Sequence, residues 1–320
     1  MRPPFIALVL ASFAFIAPAQ ADNYPSRPIT LIVPFPPGGS TDVAARIIAD
    51  RMGPLLGQPV IVENVGGAGG SIAVGRLARA TPDGYTIDIG QWDTHVGSII
   101  YNLTYDLESD FTPIGLMSIN PMLLIARKDL PADDLKTLVA WMKEHPGDAK
   151  FVNQNASAQV GGLLLQKLTG TQVLFIPYRG AGPAMTDLIS GQVDLLLVQG
   201  AVALPQVRAG TVKALANLSP QRSASMPDIP SATESGVPGL NIAGWFGLFA
   251  PKGTSPDVVK KLDVAMVQSL ADPALQARFA QLGLDIAPRE QQTPEGLDKF
   301  DRAEIAKWWP IIRAAGIRGE

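Results

Sequence analysis

The sequence contains no cysteine, which excludes disulfides, thiol nucleophiles and thiolate metal sites together. Its two histidines, His95 and His145, lie far apart and leave little from which to build a zinc site. Charge is sparse, with Asp, Glu, Lys and Arg at 17% and a formal net charge of -3 that has no basic block behind it. The electrostatic footprint of nucleic-acid binding is therefore missing, and neither DNA nor RNA is expected as a partner. Beyond the N-terminus no apolar run approaches the roughly 20 residues that a membrane-spanning helix needs. Passage of any solute across a bilayer would thus require separate proteins.

The N-terminus itself has the pattern of an export signal. Arg2 precedes a mostly apolar run from Phe5 to Ala17, followed by Pro18 and the small-residue pattern Ala19-Gln20-Ala21. Removal of residues 1–21 is expected, leaving Asp22 first. The run is shorter than a membrane anchor, and a lipoprotein is excluded because there is no cysteine to acylate.

At 320 residues the chain suggests two lobes, since single cores rarely grow beyond about 250 residues. Hydrophobic residues at 47%, with 31 Gly and 28 Pro, indicate a globular protein with many turns between short elements. Strand-like and helix-like patterns alternate, which predicts an α/β protein with parallel strands and crossover helices. Ile29 to Phe35 is an apolar β-type run, Pro36 to Gly39 a turn, and Ser40, Thr41 or Asp42 can cap a helix that carries Ala44, Ile47, Ile48 and Met52 on one face.

The plan repeats with Val60 to Glu63 as strand, Asn64 to Gly70 as loop and Ser71 as cap. Tyr85 to Ile89 is a third strand, ending at Gly90-Gln91-Trp92. Further along, a helix is predicted from about Ala132 to Lys143, then Phe151-Val152 leading into a polar loop, Asn153 to Gln159. Val173 to Ile176 and Val193 to Val198 are strands, with a helix from about Ala184 between them. The extended runs Met122 to Ala126 and Trp245 to Ala250 are read as crossings between lobes. Lobe 1 is then expected from 22–121 and 246–320, and lobe 2 from 122–245. Thr293 as cap and Pro294 at the first helical position start a C-terminal helix that closes lobe 1.

In open parallel sheets ligands bind beyond the carboxyl ends of the strands. Pro37-Gly38-Gly39-Ser40-Thr41 and Gly66 to Ser71 both put small residues just before a helix N-terminus, where free N–H groups and the helix dipole favour an anion. Each loop alone also reads as an ordinary turn; several on one sheet edge point to a carboxylate site. A dinucleotide fingerprint drawn from Gly67 and Gly69 would need glycine where Ile72 stands, and no Gly-x-Ser-x-Gly elbow occurs. His95 without a nucleophile or paired carboxylates is better read as structural or hydrogen-bonding than catalytic. Asp42 at a helix start is most simply a cap.

In the middle of the chain Asn153, Gln154, Asn155, Ser157 and Gln159 form a cluster of neutral hydrogen-bonding groups. Tyr178-Arg179-Gly180 adds a hydroxyl and a fixed positive charge. Arg179 suits a bidentate carboxylate contact or a surface ion pair. Trp92, Trp245 and Phe246 suit either a pocket wall or core packing.

Several of these residues carry a family resemblance. Tyr24-Pro25-Ser26-Arg27-Pro28-Ile29 and Val33-Pro34-Phe35-Pro36-Pro37-Gly38-Gly39-Ser40-Thr41-Asp42 closely resemble the opening of the substrate-binding proteins of tripartite tricarboxylate transporters, the Bug-type receptors. So do Pro82-Asp83-Gly84-Tyr85-Thr86, Pro177-Tyr178-Arg179-Gly180, Gly191-Gln192-Val193-Asp194 and Gly247-Leu248-Phe249-Ala250-Pro251. Together they cover essentially the whole mature chain, in order.

The resemblance implies a two-lobe periplasmic binding protein of type II with the ligand cleft between lobes. Such a protein is no enzyme, needs no cofactor or metal, acts as a monomer and delivers a small carboxylate to membrane transporter subunits. Carried onto this chain, the ligand contacts are Pro37, Gly38, Gly39, Ser40 and Thr41, then Gly69, Gly70 and Ser71, with Gln91 and Trp92 beside them. Gln154, Asn155, Ser157, Gln159, Tyr178, Arg179, Gly180, Gly182 and Gln199 meet the far end of the ligand.

This chain has Val198 and Gln199 where many similar chains have an acid, which argues against an amino-acid ligand because a buried ammonium would lack a counter-charge. A dicarboxylate or an aromatic carboxylate is favoured over a citrate-like acid. A ligand-presenting co-receptor for a signalling protein is the alternative from another class, and turnover of an acid by the purified protein would restore an enzyme.

Overall fold

The computed structural model describes residues 24–219, 221–223 and 225–318; the expected signal over 1–21 lies outside the described residues. The N-terminal strands are β1 (Ile29–Val33), β2 (Val60–Asn64) and β3 (Thr86–Gln91), joined by helices α1 (Ser40–Leu56) and α2 (Ser71–Ala78). A single helical turn, α3 (Trp92–His95), follows β3 directly, and then comes the long strand β4 (Phe111–Arg127). Next are α4 (Leu135–Glu144), β5 (Lys150–Asn153), α5 (Ala156–Thr169), β6 (Leu174–Pro177), α6 (Ala181–Ile189), β7 (Leu195–Gln199), α7 (Gly200–Arg208) and β8 (Val212–Asn217). The chain returns through β9 (Ala243–Pro251) to α8 (Pro256–Leu270), α9 (Pro273–Gln281), β10 (Asp285–Ile286) and α10 (Pro294–Ala314).

The strand order is β2-β1-β3-β9-β4-β7-β5-β6, with β8 and β10 also paired to β4. β1 lies parallel to β2 and β3, and β5 parallel to β6 and β7, as the alternating pattern predicts. The sheet as a whole is mixed, because β9 runs antiparallel to β3 and β4, and β4 runs antiparallel to β7 and β8. The extended runs read as crossings are the inner parts of these two longer strands. The ladder of β4 with β9 extends to Pro121, and its ladder with β7 starts at Met122. Pro113 of β4 stands next to a register shift in the ladder with β9.

Apolar periodicity accounts for the packing of the first helix. Ala44, Ile47, Ile48 and Met52 are all buried against β1 and β3 residues such as Leu31, Val33 and Ile87. Burying a side chain of this kind contributes roughly 1.5–3 kcal/mol. A second apolar cluster lies between β4, β7, α6 and α7. The largest joins α4, α5 and β7 to Trp92, Trp245 and the α10 residues Ile305, Trp308 and Ile312. Thr293 does cap α10, accepting the Gly296 N–H, with Pro294 in the first turn.

The caps of the first two helices differ from the pattern. Gly39 and Gly70 hold the N-cap positions of α1 and α2, and no side chain caps either helix. Asp42 sits one turn in, at the third helical position, and accepts the Gly38 N–H at 2.9 Å. The expected polar loop 153–159 is shorter than predicted: Asn155 caps α5, so Ser157 and Gln159 are already helical. Likewise α6 starts at Ala181, not near Ala184, because Gly180 with φ 131° turns the chain directly into the helix. Among the described residues no helix is long and apolar enough to cross a membrane.

Candidate functional site

The carboxyl ends of β1, β3, β5, β6 and β7 converge on a cavity of about 360 Å³. From β1 come Phe35, Pro36, Pro37, Gly38, Gly39, Ser40 and Thr41, and from β3 Gln91 and Asp93. Across the cleft, β5 supplies Gln154 and Asn155, β6 leads to Arg179, Gly180, Ala181, Gly182 and Pro183, and β7 ends in Val198 and Gln199. Met122 at the crossing and Val202 of α7 complete the wall.

Three helices present their N-termini here, and none is capped by a side chain: α1 behind Gly39, α6 behind Gly180 and α7 behind Gln199. The first N–H groups of a helix have no intrahelical partner, and the dipole favours negative charge there. Elsewhere α4, α8, α9 and α10 are capped by Asp134, Ser255, Asp272 and Thr293. Of the other helices that start at the cleft, α5 is capped by Asn155. It also receives Asp93 of the opposite wall, whose Oδ1 accepts the Ser157 N–H at 2.7 Å.

The loop after β1 is held from behind. Asn64 Nδ2 donates to the Phe35 carbonyl and to Asp42 Oδ1, both at 3.0 Å. Arg46 pairs with Asp42 at 2.9 Å. Burial pushes the Asp42 carboxyl up, but hydrogen bonds from Arg46, the Gly38 N–H and Asn64 outweigh it and hold the group below the usual carboxylate range. A Cβ on Gly38 would meet nothing within 4 Å, and one on Gly39 only the Pro36 carbonyl at 3.9 Å, so this backbone is open toward the cavity.

The second glycine-rich loop is used differently. Gly69, Gly70 and Ser71 do not line the cavity. A Cβ on Gly69 would strike the Tyr101 ring, and one on Gly70 would lie 2.6 Å from Thr94 Cγ2. Trp92 is buried edge-on against Trp308 at 5.3 Å and belongs to the core, as do Trp245 and Phe246. Ser157 and Gln159 stand in α5 outside the lining. Tyr178 is turned away as well: its hydroxyl donates to Asp187, a bond that pushes the phenol up to about 12. Of the expected residues, Pro37, Gly38, Gly39, Ser40, Thr41, Gln91, Gln154, Asn155, Arg179, Gly180, Gly182 and Gln199 are brought together.

Arg179 is exposed on the wall and has no ion-pair or hydrogen-bond partner among the described residues. His95 is wholly buried, stacked on Phe249 at a 4.1 Å centroid separation, and burial pushes its imidazole down to about 3. It is a neutral core residue away from the cavity. Asp93 was not anticipated from sequence, although it stands two positions beyond Gln91 in the loop already singled out. Its Oδ2 accepts from Asn155 Nδ2 at 3.3 Å and from Gln91 Nε2 at 3.5 Å. Burial pushes its carboxyl up to about 6, against hydrogen bonds from Ser157. The cavity therefore does contain an acid, supplied by β3 rather than by the Val198–Gln199 segment where the resemblance places it.

A cleft lined by strand carboxyl ends and crossed by two antiparallel strands defines the chain as a two-lobe periplasmic-binding-protein fold. Two solved structures share it closely. The periplasmic binding protein BugD is 38% identical, with a TM-score of 0.86 over 93% of this chain and 100% of its own. MatC of Rhodopseudomonas palustris, solved with bound malate, is 36% identical, with a TM-score of 0.84 over 90% of this chain and 100% of its own. BugT of Bordetella pertussis (strain Tohama I) is 36% identical over 98% of this chain and 97% of its length. The model of the tripartite tricarboxylate transporter family receptor matches residues 44–317, and the chain belongs to that family. Its members are substrate-binding receptors, not enzymes.

Proposed function

We propose that this protein is a periplasmic receptor that captures a small dicarboxylate between its lobes and hands it to the membrane subunits of a tripartite tricarboxylate-type transporter. The observation that carries this reading is the convergence of three helix N-termini without side-chain caps, together with the unpartnered Arg179, on one cavity. One carboxylate binds at Gly39 to Thr41 through main-chain N–H groups, and the other meets Arg179 and the start of α6. Gly69, Gly70 and Ser71 shape the first loop from behind, by way of Thr94 and Pro34, which pack against Gly70. Malate in MatC is a ligand of the same size class.

The lobes are residues 22–121 with 246–320, and residues 122–245. The change of β4 from partner β9 to partner β7 between Pro121 and Met122 supports that boundary. Binding draws the lobes together about the two crossing strands. The size of the cavity and its single arginine favour a diacid over citrate.

The test is a thermal-shift and calorimetric screen of organic acids on the mature chain. A ligand at 100 times its Kd adds about 2.7 kcal/mol of stability. Stabilisation by dicarboxylates, abolished when the acid is replaced by its neutral diamide, is the expected result. Response to citrate alone, or to no carboxylate at all, would overturn the reading.

A further inference from the structure

Among the residues lining the cavity only two are charged, and they stand on opposite walls: Arg179 after β6 and Asp93 after β3. A receptor that grips anions gains nothing from a bare carboxylate in its own site, so Asp93 needs a reason. It is 4% exposed and has no ion pair among the described residues. Its neighbours are neutral donors, namely the Ser157 N–H, Asn155 Nδ2 and Gln91 Nε2. The Ser157 side chain adds a further neutral bond, and the two bonds to Oδ2 are long at 3.3 and 3.5 Å, so no neighbour supplies a charge and Oδ2 is weakly satisfied.

A second acceptor, on the wall across the cleft, is short of a donor. Gln154 Nε2 donates to the Leu197 carbonyl at 2.7 Å, which fixes the amide, and its Oε1 is buried with no partner. A buried acceptor left without a donor is costly, so the site favours a ligand that supplies one. The cavity thus holds two under-supplied acceptors, Asp93 on one wall and Gln154 on the other, among the donors of α1, α6, α7 and Arg179. The Gln91 amide ties Asp93 to the α1 N-terminus. Thr41 Oγ1 donates to its Oε1 at 2.8 Å, while its Nε2 reaches Asp93. Asp93 is therefore joined through Gln91 to the helix start at which the carboxylate is proposed to bind.

We propose that Asp93 is a specificity residue that selects acids bearing a hydrogen-bond donor beside the captured carboxylate, an ammonium in preference to a hydroxyl, and disfavours the plain diacid. The proposal rests on the cleft being a carboxylate site and names what that site discriminates. An ammonium supplies the counter-charge that a desolvated carboxylate lacks, a hydroxyl supplies a neutral bond, and a methylene supplies neither while the ligand's own charge is repelled.

The experiment is calorimetry at pH 8 on the mature chain with two matched series: succinate, malate and aspartate, then glutarate, 2-hydroxyglutarate and glutamate. In at least one series the wild type is expected to bind the amino acid most tightly and the plain diacid most weakly, with a ratio of at least about tenfold, or 1.4 kcal/mol. Asp93→Asn keeps an acceptor for Ser157 but removes the charge, and is expected to bring that ratio to within about twofold by weakening the amino acid and strengthening the diacid. Circular dichroism and melting confirm folding. An unchanged ratio in folded Asp93→Asn would mean that Asp93 only staples α5 to the opposite wall. A plain diacid binding most tightly to the wild type would overturn the proposal without any variant. Binding of none of the six acids would instead overturn the carboxylate reading itself.

Discussion

The loops 36–41 and 66–71 both place glycines ahead of a helix, yet a Cβ would meet open space at Gly38 and side chains at Gly67, Gly69 and Gly70. The first has its polar support behind it, in Asp42, Asn64 and Arg46, so its face toward the cleft is bare backbone. The second is filled by Ile72, Tyr101 and Thr94. Glycine serves close approach of a ligand in one loop and close approach of the protein's own side chains in the other. What distinguishes them is the segment 92–101, which comes back over the second loop and leaves the first uncovered.

The largest effects should separate the loops outright. Gly70→Val forces a branched residue into φ 95° and onto Thr94, and should cost about 2–4 kcal/mol of stability in urea melts. Gly39→Val, at an ordinary φ of -79° with open space ahead, should leave the melt unchanged while lowering carboxylate affinity by roughly a hundredfold in calorimetry. A folded Gly70→Val that loses binding as completely as Gly39→Val would erase the distinction.

The next effect concerns the covering segment. The Asp93 carboxyl has a folded value of about 6 against an ordinary 3.8, so between those values the folded chain holds a proton that the unfolded chain has lost. Stability from this group therefore rises as pH falls from 7 to 4, by up to about 3 kcal/mol, and is lost again as pH rises through 6. Asp93→Asn should lack this slope in paired melts across that range. His95 acts in the opposite sense, since its folded value of about 3 lies below the ordinary 6.5 and removes stability as pH falls. It is common to both proteins and cancels in the difference.

Smaller effects belong to the cleft's cation and to the capped helices. Arg179→Ala should weaken a diacid by about tenfold with little change in melting, because Arg179 is exposed and supports nothing else in the fold. Asp272 caps α9 by accepting the Ala274 and Leu275 N–H groups, so Asp272→Ala should lower the melting midpoint slightly and leave ligand affinity untouched. A drop in affinity there would show that caps remote from the cleft also govern the site.

Much of the fold was legible because its signals are local. The α1 stripe of Ala44, Ile47, Ile48 and Met52, the alternation of strands and helices, and the Thr293-Pro294 start of α10 depend on spacing and on residues within a turn of one another. The Gly38–Thr41 loop, Arg179 and Gln199 could be placed at strand ends on the same grounds. Other features could not. The antiparallel insertion of β9 next to β3 pairs Asp88 with Phe249, residues on opposite sides of lobe 2 in the chain. Tyr178 carries the same hydroxyl whether it faces a ligand or Asp187, and Trp92 the same ring whether it faces a cavity or Trp308. Composition and periodicity thus determined which segments form elements and which of their ends can hold an anion. Only the tertiary structure decided which glycine loop stays open, and that an acid from β3 reaches the cleft, because both depend on contacts between residues that no local spacing relates.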